Sequence, residues 1–154
     1  MDLRLKWSGM GADFARSGTD LATDDGLETA VIVSLFTDRR AEADDALPGA
    51  LPSGGDTDRR GWWADAYVLR QGDAPESMGS RLWLLGREKA LAKVLEQARE
   101  YAEEALAWMV DDGVAAQVQA VAERQGDRLA LGVTIQRPRQ PPAQFRFETF
   151  WQGA

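Results

Sequence analysis

Between residues 87 and 109 apolar side chains recur every three or four positions, at Leu91, Val94, Leu95, Ala98, Tyr101, Ala102, Ala105 and Met109. That spacing places them on one buried face of an α-helix. Lys89, Lys93, Glu96, Arg99, Glu100, Glu103 and Glu104 fall mostly on the other side. Arg99 and Glu103 form an oppositely charged pair four apart, so this side is expected to face water. Asp111-Asp112-Gly113 ends the stretch, with Gly113 as a left-handed terminator. No other segment of the chain shows so long a regular pattern, so the rest of the fold is expected to pack around this helix.

After it the period changes to two. Val114, Ala116, Val118 and Ala120 alternate with Ala115, Gln117 and Gln119, and Leu129, Leu131, Val133 and Ile135 share a face beyond Gln125-Gly126-Asp127. This predicts a β-hairpin. Pro138, Pro141 and Pro142 then remove backbone donors, which makes 137–142 an extended connector rather than sheet interior. Residues 144–151 read as a last strand with apolar groups on both sides. Phe145, Phe147 and Trp151 lie on one face, and Arg146, Glu148 and Phe150 on the other.

Ahead of the long helix, Leu3, Leu5 and Trp7 alternate with polar residues and predict a short strand ended by Ser8-Gly9. Residues 9–19 are small and polar apart from Met10 and Phe14, and read as a loop with Phe14 pinned on the core. Thr23, Asp24 and Asp25 supply capping oxygens before Leu27, Ala30, Val31, Ser34 and Leu35, a first helix of about three turns. Residues 78–85 form a short helix or turn, with Gly79 permitting the reversal, Ser80 able to cap and Gly86 interrupting. The expected fold class is α+β, in which a long central helix and a shorter helix pack on a small, mainly antiparallel sheet. A single domain spans 1–154, with a mobile acidic, glycine-rich loop at about 41–56.

Two smaller patterns flank that loop. Thr37-Asp38-Arg39-Arg40 recurs as Thr57-Asp58-Arg59-Arg60. Four residues are too few for a repeat architecture, so the recurrence is either chance or two anchors of one loop. Just beyond it, Trp62 and Trp63 are adjacent. Neighbouring indoles can stack a sugar or a base. More often such a pair plugs a loop onto the core or fills a subunit contact, and that reading is preferred.

Composition narrows the chemistry. At 154 residues, 44% hydrophobic and 28% charged, the chain is an ordinary globular domain rather than a disordered one. A net charge of -7 makes nucleic acid and anionic membrane poor partners. With neither cysteine nor histidine, disulfides, thiolate sites and the usual zinc sites are excluded, along with the common neutral-pH general base. No run of ~18 apolar residues occurs and the N-terminus lacks a signal-length apolar stretch, so synthesis in a cytosol-like compartment is expected. Asp20, Asp24, Asp25, Glu28, Asp111 and Asp112 sit where capping or solubility explains them. Neither Gly-x-Ser-x-Gly nor Ser-x-x-Lys occurs, and Gly9-Met10-Gly11 lacks the lysine and helix of a phosphate loop. The expectation is no catalytic residue, no cofactor and no metal.

Four segments in order carry a resemblance. They are Asp25-Gly26-Leu27-Glu28-Thr29-Ala30-Val31, Leu35-Phe36-Thr37-Asp38-Arg39-Arg40, Arg60-Gly61-Trp62-Trp63 and Gly79-Ser80-Arg81-Leu82-Trp83-Leu84-Leu85. Together they resemble the baseplate protein of Mu-type contractile phages and Mu-like prophages, from residue 20 to the end of the chain. That family is similar in turn to the small sheath-initiator wedge proteins of T4-like phages and type VI secretion systems. The wider group shares Gly-Ser-x-Leu before its main helix, matched here at Gly79-Ser80-Arg81-Leu82. It usually ends that helix with Glu-Pro-Arg, where this chain has Met109-Val110-Asp111-Asp112-Gly113. A wedge contact made through Glu-Pro-Arg does not carry over.

The resemblance implies a non-enzymatic subunit of a sixfold baseplate, made in the host cytoplasm and built into the virion tail. Its implied partners are other baseplate wedge proteins, the tail tube or hub, and the sheath protein, whose assembly it would initiate by strand pairing. Candidate partner-binding residues are Trp62, Trp63, Gly79, Arg81, Trp83, Phe145, Phe147, Phe150 and Trp151. No visible carboxylate pair supports the lysozyme label sometimes attached to the wider group. The terminal strand is suited to pairing with another chain, yet it fits equally in the domain's own sheet. Truncation after Pro142 separates the two, leaving a folded protein in the first case and an unfolded one in the second. The alternatives are a glycan-binding or lysozyme-like tail protein using Trp62-Trp63, and a small cytosolic regulator on a related fold.

Overall fold

The computed structural model describes residues 2–48, 58–67, 77–87 and 91–150. Its architecture is α+β, as the hydrophobic periods predict. The chain opens with six very short strands, β1 (Asp2–Leu3), β2 (Leu5–Trp7), β3 (Ala12–Phe14), β4 (Arg16–Ser17), β5 (Asp20–Leu21) and β6 (Thr23–Asp24). They form three antiparallel ribbons, β1 with β6, β2 with β3 and β4 with β5. The ribbons meet at a closed triangle of backbone hydrogen bonds. Arg4 N–H donates to Ala22 O, Ala22 N–H to Ala15 O and Ala15 N–H to Arg4 O, each at 2.9 Å.

This overturns the loop expected over 9–19. Two of its glycines make turns of the ribbons, Gly9 and Gly18 reversing the chain at φ 91° and 64°. Phe14 is not pinned on the core, being 52% exposed. The expected strand through Leu3, Leu5 and Trp7 is present but divided at Arg4, where it changes partner.

Helix α1 (Leu27–Phe36) buries Val31, Ile32, Ser34 and Leu35. Its cap differs from expectation. Gly26 is the N-cap, at φ 85°, and Thr23 and Asp24 are spent in β6. Of the predicted capping residues, Asp25 reaches the helix, accepting from Leu27 N–H at a long 3.4 Å. Glu28 serves the first turn and pairs with Arg4 at 2.7 Å.

Short 3₁₀ helices cover Trp63–Ala66 and Leu82–Arg87. The predicted long helix follows as α2 (Leu91–Leu106) and α3 (Trp108–Asp111), one helix bent at Ala107. There the backbone tightens to shorter-range bonds, Ala107 N–H to Glu104 O and Val110 N–H to Ala107 O. Gly113, at φ 74°, ends it as predicted.

The hairpin is also present. Strands β7 (Gln117–Gln125) and β8 (Arg128–Gln136) pair antiparallel around Gly126 and Asp127. After the proline connector, β9 (Ala143–Phe150) pairs antiparallel with β8 from Ile135↔Ala143 to Arg128↔Phe150. The sheet order is β7-β8-β9, so the last strand lies in the chain's own sheet.

One face of that sheet packs on the helices. Val31, Ile32 and Leu35 of α1, Ala102, Ala105 and Leu106 of α2, and Met109 meet Val133, Ile135 and Phe147. A second cluster joins Leu84 and Leu85 to Val94, Ala98, Tyr101, Leu129 and Leu131. Each fully buried aliphatic side chain contributes about 1.5–3 kcal/mol, so this face carries the stability of the fold. Of the loop expected at 41–56, residues 49–56 lie outside the described residues. In the described part, Ala41 is buried.

Candidate functional site

The Gly79-Ser80-Arg81 segment ties the end of α1 to α2. Ser80 Oγ donates to Leu35 O at 2.5 Å and Ser80 N–H to Thr37 O at 2.9 Å, while Ser80 O accepts from Arg39 N–H at 3.0 Å. Gly79 has φ 98°, and a Cβ there would lie 2.2 Å from Thr37 O. Only glycine fits so close an approach. Arg81 then grips both oxygens of Asp45 at 3.1 Å and Glu104 at 3.0 and 3.2 Å, with its guanidinium 4.7 Å from the Tyr101 ring centre. Burial works against the Arg81 charge, but hydrogen bonds to Asp45 and Glu104 outweigh it and raise its pKa. Burial, reinforced by the negative charge of Asp45, also raises the Tyr101 phenol above its ordinary value.

The recurring Asp-Arg-Arg triplets meet here. Arg60 pairs with Asp38 at 2.6 Å, Ala41 N–H donates to Arg59 O at 2.9 Å, and Arg59 donates to the carbonyls of Glu42 and Ala43. Of the two readings of the recurrence, these contacts match two anchors of one loop; Thr57 lies outside the described residues. Trp83 joins the same knot, donating from Nε1 to Arg39 O at 2.8 Å beneath the Arg60 guanidinium. The visible contacts of Gly79, Arg81 and Trp83 are therefore within the chain.

Trp62 and Trp63 part company. Trp62 is half-buried and lines a cleft of about 510 Å³ with Ala30, Val33, Met78 and Trp108. Trp63 is 78% exposed, next to Tyr67 at 80%. The two indoles are 5.8 Å apart and tilted by 54°, so they offer no shared flat platform to a sugar ring. The plug reading fits Trp62 only. Tyr67 had no periodic signal that could have singled it out.

On β9, Phe145 and Phe147 face the helices, stacked 6.3 Å apart. Phe147 also meets Phe36 edge-on at 5.6 Å, and Phe36 stacks on Trp7 at 3.7 Å. Phe150 lies opposite Arg128, but its side chain and all of Trp151 fall outside the described residues. In an antiparallel pair, alternate residues turn their N–H and C=O away from the partner. Glu148 O accepts from Trp7 Nε1 at 2.7 Å, which fixes the outward set on β9 as Gln144, Arg146 and Glu148. Among the described residues no strand pairs with this edge.

The opposite edge is met at Ala120 by α2. Ala120 N–H, facing out of β7, donates to Glu103 Oε1 of α2 at 3.1 Å. The two edges thus differ: β7 is met by the helix at Ala120, whereas β9 is covered only at its far end, where Trp7 and Gly9 lie against Glu148. Sequence reasoning assigned Trp7 to a strand and Glu103 to solvent, and missed both as edge partners. Indole N–H groups and helix carboxylates have no spacing that reveals such a role. On the outer face, Arg146 pairs with Glu123 at 3.5 Å and Arg128 with Glu148 at 3.1 Å, exposed pairs of little energetic weight. Among the described residues no cluster of acidic side chains could hold a metal, and no helix is long and apolar enough to cross a membrane.

Residues 27–142 match the family described as Phage protein GP46. The chain is 44% identical over 154 residues to the baseplate protein gp46 of Escherichia phage Mu, covering 99% of this chain and 98% of that protein. It is 37% identical over 151 residues to the Mu-like prophage FluMu protein gp46 of Haemophilus influenzae, covering 97% of each. The resemblance carried by the four sequence segments is thereby borne out. The chain belongs to the GP46 family of phage proteins.

Proposed function

We propose that this chain is a structural, non-enzymatic subunit of a contractile-tail baseplate, and that the sheath begins on it by adding a strand to β9. The name of the phage Mu relative, a baseplate protein, supports the baseplate role. The observation that carries strand addition is the asymmetry of the sheet: one edge is met at Ala120 by Glu103 of α2, and the other leaves Gln144 and Arg146 facing outward. Open edges pair readily with extended segments, main-chain hydrogen bonds giving affinity and alternate side chains specificity. In this reading the subunit sits in a sixfold inner wedge beside other wedge proteins and the tail tube or hub. Trp63 is offered to one of those neighbours, backed by Trp62, and Phe150 and Trp151 are further partner-binding residues in this reading. Gly79, Arg81 and Trp83 act by holding the loop base that neighbours meet.

Proline at position 144 tests the idea. The Gln144 N–H points away from β8, so Gln144→Pro removes a docking donor without removing a bond of the ladder. Purified sheath protein is mixed with baseplates carrying either chain and assembly is followed by light scattering. The wild type is expected to nucleate sheath, and the variant to keep its melting temperature while losing nucleation. Normal nucleation by a folded Gln144→Pro variant would sink strand addition at this edge.

A further inference from the structure

We infer that Trp7 is an edge cap that prevents β9 from pairing with β9 of a second copy of this chain. The inference rests on the reading of β9 as an assembly edge, since an edge left open for one partner is open to copies of itself. Charge selects how two such edges would meet. Two antiparallel copies of β9 can superpose their outward positions in a few registers. Aligning Arg146 with its own copy sets like charges face to face, which is unfavourable. Aligning Gln144 with Arg146 of the second copy gains no charge pair and sets Glu148 against a proline, Pro142, which has no N–H to give. Opposite charges face each other when Arg146 lies across from Glu148 of the second copy, twice over, with Phe147 at the centre.

That favoured register needs the Glu148 carbonyl as an acceptor for the Arg146 N–H of the other copy. Trp7 has already taken it, at 2.7 Å. The cap is held firmly, because the indole stacks on Phe36 with centroids 3.7 Å apart and an 8° interplanar angle. Gly9 follows closely, near enough that a Cβ there would lie 3.5 Å from Glu148 O. The β2–β3 ribbon thus holds the Trp7 donor against that one carbonyl. A heterologous strand confined to Ala143–Arg146 meets no such obstacle. Trp7 thus sets both how far an added strand can extend and which strands can add.

Trp7→Phe keeps an aromatic ring for Phe36 and removes the donor. Sedimentation velocity of the wild type, the single variant and two further chains tests the cap. The wild type is expected to stay monomeric, while Trp7→Phe dimerises with at least a tenfold lower dissociation constant. Adding Arg146→Glu is expected to return it to monomer, and adding Arg146→Glu together with Glu148→Arg to restore the dimer. A folded Trp7→Phe chain that stays monomeric overturns the inference, as does a wild type that dimerises equally or a dimer indifferent to the charge swap. Should the phenylalanine variant fail to fold, benzothienylalanine at position 7, which has the shape of tryptophan without its N–H, takes its place. Since no sheath protein is present, failure here is separate from failure of sheath nucleation.

Discussion

The Ser80 hydroxyl donates to the carbonyl oxygen of Leu35, 45 positions earlier in the chain, across 2.5 Å in a buried setting. Leu35 lies in the last turn of α1, whose carbonyls have no partner within the helix. Ser80 thus caps from a distance, and its own N–H satisfies Thr37 O two residues on. Ser80→Ala leaves a buried carbonyl unsatisfied, a loss of about 1–3 kcal/mol. Gly79→Ala is expected to cost more, because its Cβ would press on the Thr37 backbone at 2.2 Å and the φ of 98° would strain any side chain. Urea unfolding of both variants checks this, with midpoints falling in that order and an unchanged slope. Equal midpoints for the wild type and Ser80→Ala would show that the capping bond carries no net stability.

Tyr101 gives the cluster around Arg81 a spectroscopic handle. Burial first, and then the negative charge of Asp45, push its phenol above 10, while Arg81 opposes them. A raised pKa means the fold favours the neutral phenol. In the unfolded chain this group ionises near the ordinary tyrosine value of about 10, so its contribution to stability is complete below that pH and is lost as pH rises through the higher folded value. Phenolate absorbance in a Tyr67→Phe background isolates Tyr101, since the chain has 2 tyrosines. The midpoint is expected above 10, moving back toward it in Asp45→Asn. A midpoint at or below 10 would mean that Asp45 and burial do not act on the phenol as the geometry indicates.

Legibility in the sequence followed element length. Helix α2 shows its face over several turns and β8 shows its alternation at Leu129, Leu131, Val133 and Ile135, so both can be read directly. The six N-terminal strands have two or three residues each, too few for any period to register, and their glycine turns read as a loop. The cap of α1 was misplaced for a related reason. Thr23, Asp24 and Asp25 are good capping residues by type, but pairing of β6 with β1 uses two of them and leaves Gly26 to make the turn. At the assembly edge the pattern located β9 and its faces but not its closure. Whether Trp7 or Glu103 covers a strand edge depends on contacts between residues 141 and 17 positions apart, and no local spacing encodes those.

A chain truncated after Pro142 is expected to unfold rather than merely lose its partner. Strand β9 pairs with β8 along its whole length, eight residues from Ala143 to Phe150. It also places Phe147, only 5% exposed, against Phe36 and the α1 core. Burying that one side chain contributes about 1.5–3 kcal/mol, and the truncation would also strip β8 of one of its two neighbours. A domain with a total stability of about 5–15 kcal/mol cannot lose both and stay cooperative. Near-ultraviolet circular dichroism and urea titration of the truncated chain test this, with loss of the aromatic signal and of a cooperative transition expected. A truncated chain that still melts cooperatively would mean that the α1–α2–β8 core stands without β9, and that the last strand is an appendage held out for another protein. Gln144→Pro distinguishes the two cases further. It leaves Phe147 and the ladder in place, so a stable Gln144→Pro chain beside an unfolded truncation would assign β9 two separate roles, its inner face to stability and its outer edge to assembly.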